Sequence, residues 1–179
     1  MDFYSHCDDY TTKLGRSLTS VDWTLVERLA SNLADSERSG RSVFICGNGG
    51  SHANSSHLAN DFQLAGIRAH ALASNPAVLT CSANDSGYDT IFMLQLALLA
   101  SPGDTLIVLS GSGNSGNVLR ALEHARRADM RSFAILGYDG GEAKALAETA
   151  IHVKIDDMQC AEDVQLVVGH TIMQWLRSA

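Results

Sequence analysis

The chain has 179 residues, enough for one domain with a sizeable core, and 45% of them are hydrophobic against 18% charged. That balance excludes a disordered chain, while a net charge of −7 without any Lys/Arg cluster argues against nonspecific nucleic-acid binding. The four cysteines, Cys7, Cys46, Cys81 and Cys160, form no CxxC pair, which fits a reducing compartment and argues against a thiolate metal site.

The first residues lack a basic region followed by an apolar one, and no apolar run approaches a membrane span. The expectation is a cytoplasmic protein with no membrane contact. Phe3, Cys7, Tyr10, Leu14 and Leu18 recur at helical spacing, as do Val21, Leu25, Val26, Leu29 and Leu33. They predict two amphipathic helices over about 3–38, with Ser20 capping the second and Gly40 closing the pair. These helices pack on a sheet or form part of a subunit interface.

Strand candidates follow at Val43–Cys46, Val78–Ala83, Thr105–Leu109, Ser132–Leu136 and Ala150–Val153. Cys46 and Cys81, in or beside these runs, read as core residues. Helical stretches fall near 51–64, 88–99, 116–129, 142–147 and 161–177. The strands are continuous apolar runs, as expected when both sheet faces are covered. Their alternation with helices predicts an α/β fold, a doubly wound and mainly parallel sheet in three layers. No linker or internal repeat interrupts it, so residues 1–179 read as one domain.

Ligands in such sheets bind at the carboxyl ends of strands, where the turns after Cys46 and Leu109 should converge. The first turn, Gly47-Asn48-Gly49-Gly50-Ser51, opens a helix carrying His57 and Asp61. Its glycines let the backbone approach a ligand, and the helix N-terminus offers free N–H groups to an anion. The second turn, Ser110-Gly111-Ser112-Gly113-Asn114-Ser115, alternates hydroxyls with small residues before another helix. It can surround a phosphate without any lysine, or serve as a simple Ser/Gly turn. The first turn does not reproduce G-x-G-x-x-G and no clean strand-end acid follows it at the expected distance, which weakens a dinucleotide reading. No Gly-Lys-Ser/Thr occurs, which excludes a Walker loop.

His57 and Asp61 stand four residues apart on one helix face, with Asn54 beside them. Glu162 and His170 lie eight apart on the last helix, within about 80°. That helix is otherwise apolar, so an ionisable group buried in it needs a partner. Taken singly, each has an ordinary reading: a hydrogen-bonded helix histidine, a solvated aspartate, a core histidine, a glutamate at a helix start. Together they can carry acid–base or metal chemistry.

The Gly47–Ser51 turn, the His57/Asp61 helix, Asn84-Asp85, the Ser110–Ser115 loop, Gly140-Gly141 and His170 occur in an order that resembles the sugar isomerase (SIS) domain. Within it they resemble the sedoheptulose 7-phosphate isomerases, also called phosphoheptose isomerases. The resemblance covers residues 1–176. It implies a five-stranded parallel sheet between helices, and a homotetramer with active sites between subunits. The implied reaction converts sedoheptulose 7-phosphate to D-glycero-D-manno-heptose 7-phosphate for surface polysaccharides. It also implies a substrate site of Asn48, Gly49, Ser51, Asn84, Asp85, Ser110, Ser112, Ser115 and Glu162, with Asp61 and His170 as the catalytic pair. Some members hold zinc, at positions matching His57, Asp61, Glu162 and His170.

Three positions depart from the family pattern. Asp61 stands for a glutamate, Glu162 for a glutamine, and Ala65 for an arginine. The added carboxylate suits a divalent metal. The departures keep open an isomerase of another ketose phosphate. Relatives that regulate, or that associate with a replication initiator, keep open a binding role without catalysis.

Overall fold

In the computed structural model, which describes residues 2–178, the two leading stripes form helices α1 (Phe3–Thr19) and α2 (Trp23–Ser39). Asp22, not Ser20, caps α2: its carboxylate accepts the Thr24 N–H at 3.0 Å, while Ser20 ends α1. Gly40, at φ +67°, makes the left-handed turn that closes α2, a conformation open to glycine at no steric cost.

The remaining elements are β1 (Ser42–Cys46), α3 (Gly50–Leu64), β2 (Arg68–Ala71), α4 (Pro76–Ser86), a single 3-10 turn at Tyr88–Thr90, and α5 (Ile91–Leu99). Then come β3 (Thr105–Ser110), α6 (Gly116–Arg127), β4 (Arg131–Leu136), α7 (Ala143–Leu146), β5 (Thr149–His152) and α8 (Met158–Ser178). All five strands are parallel, in the order β2-β1-β3-β4-β5.

Two expectations are corrected here. The run Val78–Ala83 is not a strand but the body of α4, started by Asn75, whose side chain accepts the Ala77 and Val78 N–H groups, and by Pro76. Cys81 is accordingly exposed rather than in the core, whereas Cys46 is buried and its thiol is pushed up by burial. The fifth strand is instead β2, an edge strand whose Arg68 and His70 are exposed between buried neighbours.

Successive residues of the central strands fill both faces. Val43, Ile45, Ile107, Leu109, Ile135 and Ile151 pack toward α2, α3 and α8. Phe44, Cys46, Leu106, Val108, Ala134 and Leu136 pack toward α5 and α6. This is why the strands read as unbroken apolar runs. Helix α1 lies outside this layer against α8, tied by Tyr10 Oη donating to Asp163 at 2.6 Å and by Lys13 to Asp157 at 2.7 Å.

The strand order reverses direction between β1 and β3. In open α/β sheets the crevice beyond the carboxyl ends at such a point is where ligands bind. The chain places its two glycine–serine turns there.

Candidate active site

Asn48, Ser51, Ser110, Gly111, Ser112, Ser115, Met158 and Glu162 line one cavity of about 80 Å³ over the β1 and β3 ends. Helices α3 and α6 both begin at it, and neither N-cap, Gly49 nor Ser115, bonds the first turn through its side chain. Their first N–H groups are therefore left for an anion, at the positive ends of two helices.

Three hydroxyls of this cradle share one polarity. Ser110 Oγ accepts the Gly113 N–H at 3.0 Å, Ser112 Oγ the Asn114 N–H at 3.3 Å, and Ser51 Oγ the Gln165 Nε2 at 3.1 Å. Each oxygen is already an acceptor, so each O–H remains available as a donor. Asn48 is clamped by reciprocal amide bonds to Asn117, both 2.9 Å, and its oxygen also accepts from Tyr88 Oη.

The serine loop is braced from behind. Gly113 O accepts the Ala143 N–H at 3.0 Å, and Asn114 Oδ1 accepts the Glu142 N–H at 3.0 Å. Gly113, at φ +67°, lies against the Gly140 carbonyl with no room for a side chain. The Gly140–Gly141 turn therefore serves the cradle by close backbone approach.

Helices α3 and α8 run parallel, and the residues facing each other form a seam. Gly50 lies under the Glu162 carboxylate, Asn54 Nδ2 donates to Gln165 Oε1 at 3.0 Å and to the Glu162 carbonyl at 2.9 Å, and Leu58 packs on Gly169. Beyond that apolar layer, His57 and His170 meet Nε2 to Nε2 at 2.9 Å, with rings edge to face. Asp61 Oδ2 lies 3.6 Å from His57 Nε2 and 3.7 Å from His170 Nε2, close enough for charge interaction but too long for a hydrogen bond. The two imidazole side chains are 51% and 44% exposed, so the cluster is open to a ligand.

The structure thus joins His57, Asp61 and His170, and separately joins Asn48, Ser51, Ser110, Ser112, Ser115 and Glu162. It separates Glu162 from the metal group: its carboxylate sits in the cradle, eight residues and about 12 Å before His170 along α8. Asn84 and Asp85 also stand apart from this cradle. They are exposed on the last turn of α4 and bonded to each other at 2.7 Å. The Asn84 amide and the Cys81 thiol hold the Asp85 carboxyl below its ordinary value.

Sequence reasoning missed Gln165 and Asn117. Both are buried polar residues. The signal for Gln165 was a lone amide in an otherwise apolar helix stretch, which requires a partner, whereas Asn117, at the polar start of α6, carried no such signal. A surface cavity of about 930 Å³ between α1 and residues 154–157 holds cations facing acids, with Lys13 already paired to Asp157. No helix among the described residues is long and apolar enough to cross a membrane.

Comparison with known proteins decides the family. The SIS domain profile matches residues 9–137. This chain belongs to the SIS domain family. Among the relatives of this SIS chain is a phosphoheptose isomerase of Chlorobaculum tepidum, 37% identical over 174 residues, covering 92% of this chain and 83% of the relative. Another, from Akkermansia muciniphila, is 38% identical over 155 residues, covering 83% and 82%. The solved phosphoheptose isomerase of Neisseria gonorrhoeae superposes with a TM-score of 0.94 at 25% identity, covering 99% of this chain and all of the other. The SIS fold, a five-stranded parallel sheet flanked by helices, is shared with it.

Three ligand atoms, from His57, Asp61 and His170, lie within 4.8 Å of one another. Two imidazole nitrogens and one carboxylate oxygen, with solvent on the open side, fit a divalent metal of the zinc type.

Proposed function

We propose that this chain is an aldose–ketose isomerase of phosphosugars, converting sedoheptulose 7-phosphate to D-glycero-D-manno-heptose 7-phosphate in heptose synthesis for surface polysaccharides. The relatives named phosphoheptose isomerase support this reading. The observation that carries it is the α3–α8 seam, which has an anion cradle at one end and an acid–base cluster at the other. His57 follows Ser51 by six residues, about 9 Å of helix rise, a span of the order of the phosphate-to-carbonyl distance in an extended ketoheptose phosphate. In a ketoheptose 7-phosphate, the phosphate and the carbonyl stand near opposite ends of the carbon chain.

In this reading, Ser51, Ser110, Ser112 and Ser115 hold the phosphate with the N–H groups of α3 and α6. Fixing that end orients the reacting carbons. Glu162 borders the cavity and accepts from a sugar hydroxyl. Asp61 and His170 are the exchange pair: one removes a proton from C1 while the other protonates the C2 carbonyl oxygen, giving an enediol. Return of a proton to C2 and loss of the O1 proton complete the aldehyde. Carbon 1 is oxidised and carbon 2 reduced, so no external redox partner is needed.

His57, Asp61 and His170 would hold a zinc ion. A ligating Asp61 or His170 is a poorer free base, so either one of them detaches to exchange the proton or the ion has a structural role. When bound, it supplies Lewis-acid polarisation of a carbonyl or hydroxyl oxygen. A purely binding role would leave these three residues without a task. The chain works as a cytoplasmic homotetramer with sites between subunits. The exposed Leu98 and Leu99 of α5, and Trp23 and Trp175 beside the α2–α8 groove, supply apolar surface for such contacts.

The test is incubation of the purified protein with sedoheptulose 7-phosphate and other ketose phosphates, followed by NMR. Appearance of the heptose aldose phosphate, fastest with the seven-carbon ketose, is expected. Conversion of none of them, by protein that binds phosphate, would replace catalysis with binding alone.

A further inference from the structure

The Gln165 side chain is 1% exposed and lies between Ser51 and Asn54 in the middle of the α3–α8 seam. Its bonding is fixed by its neighbours. Asn54 Nδ2 donates both to the Glu162 carbonyl and to Gln165 Oε1, so the Gln165 oxygen faces Asn54 and its nitrogen faces Ser51. Gln165 Nε2 then donates to Ser51 Oγ at 3.1 Å. A hydroxyl that accepts from an amide on one side turns its own proton to the other. For Ser51, 2% exposed and lining the cradle, the other side is the cavity.

We infer that Gln165 is a positioning residue for the phosphate of the substrate, locking the Ser51 hydroxyl as a donor into the cradle. The inference rests on the phosphosugar reading of this site. It adds a part that the substrate never touches. The donor polarity of Ser110 and Ser112 is set by backbone N–H groups within their own loop. For Ser51 it is set by a side chain from another helix. A substitution at position 165 can therefore reverse it without disturbing the loop.

Gln165→Glu keeps the shape and the Asn54 bond but replaces the donating amide with an acceptor. Ser51 then donates to the carboxylate and withdraws from the anion. Gln165→Met removes both polar contacts at similar volume and leaves the hydroxyl unbiased. A hydrogen bond to a charged group is worth roughly a tenfold change or more.

The test uses the full-length protein, with inorganic phosphate as competitive inhibitor and sedoheptulose 7-phosphate as substrate. The expected result is that KM and the phosphate inhibition constant rise about tenfold in Gln165→Glu and less in Gln165→Met, with kcat within about threefold of the parent. In a Ser51→Ala background the same substitutions change either constant less than about twofold, because the group they act through is gone. A merely structural role would lower kcat and the melting temperature together and persist in the Ser51→Ala background, overturning the inference. Unchanged constants in Gln165→Glu would also overturn it. Should Gln165→Glu not fold, Gln165→Met carries the same cycle. Failure of the phosphosugar reading is read separately, on the parent protein, as no inhibition by phosphate and no turnover.

Discussion

Leu58 of α3 occupies the space that a side chain at position 169 of α8 would need, so a methyl group on Gly169 would overlap both Leu58 methyl carbons. This contact sets how closely the two helices approach, and therefore whether His57, adjacent to Leu58, reaches His170, adjacent to Gly169. Gly169→Ala gains about 1 kcal/mol of helix propensity, but overpacking against a buried leucine costs about 1–3 kcal/mol. The expected outcome is a net loss of stability and a larger loss of turnover. Chemical denaturation should show that Leu58→Ala relieves it, with a favourable coupling near 1 kcal/mol in the double variant.

Glu162 places a carboxylate in a cavity otherwise built to receive an anion. At an effective dielectric near 20, a charge about 6 Å away repels each phosphate charge by roughly 1–3 kcal/mol. Glu162→Gln is expected to lower the phosphate inhibition constant by about tenfold. The gap between parent and variant should narrow as salt is added. Inhibition by phosphate across ionic strengths measures both.

The metal group gives a prediction of its own. One zinc per chain should bind the parent and raise its melting temperature, since a ligand that binds only the folded state stabilises it. His57→Ala and His170→Ala should each abolish that rise, whereas Glu162→Ala should keep it, because Glu162 lies outside the group. Metal analysis after dialysis, together with thermal unfolding, reads the difference.

Acid stability tests the attachment of α1. Lys13 and the Cys160 N–H hold the Asp157 carboxyl below its ordinary value of 3.8. A carboxyl depressed on folding stabilises the protein above its unfolded value and loses that effect as pH falls through its folded one. The stability advantage of the parent over Asp157→Asn is therefore expected at pH 7 and should shrink below about pH 4. Urea unfolding at pH 7 and pH 3 compares them.

How far the sequence carried the account depends on where each residue sits. The buried strands β1, β3 and β4 were legible because covering both faces forces unbroken apolar runs. Strand β2 was not, because an edge position lets Arg68 and His70 face solvent and erases the pattern. The run Val78–Ala83 was misread from its apolar residues, although Asn75-Pro76 carried a helix-start signal. At the site, the i, i+4 spacing of His57 and Asp61 pointed to one face. Their meeting with His170 needed the parallel packing of α3 on α8. Glu162 and His170 share that helix, but two turns of rise put them in different groups. Gln165 was hidden among Val164, Leu166 and Val167, since hydropathy alone does not reveal which partner a buried amide finds.

The most direct measurement is turnover of sedoheptulose 7-phosphate by Asp61→Ala and His170→Ala, run beside phosphate binding to the same proteins. The account predicts that each variant loses turnover by about 100-fold or more while phosphate affinity stays within about threefold of the parent. Full activity in either variant would contradict it.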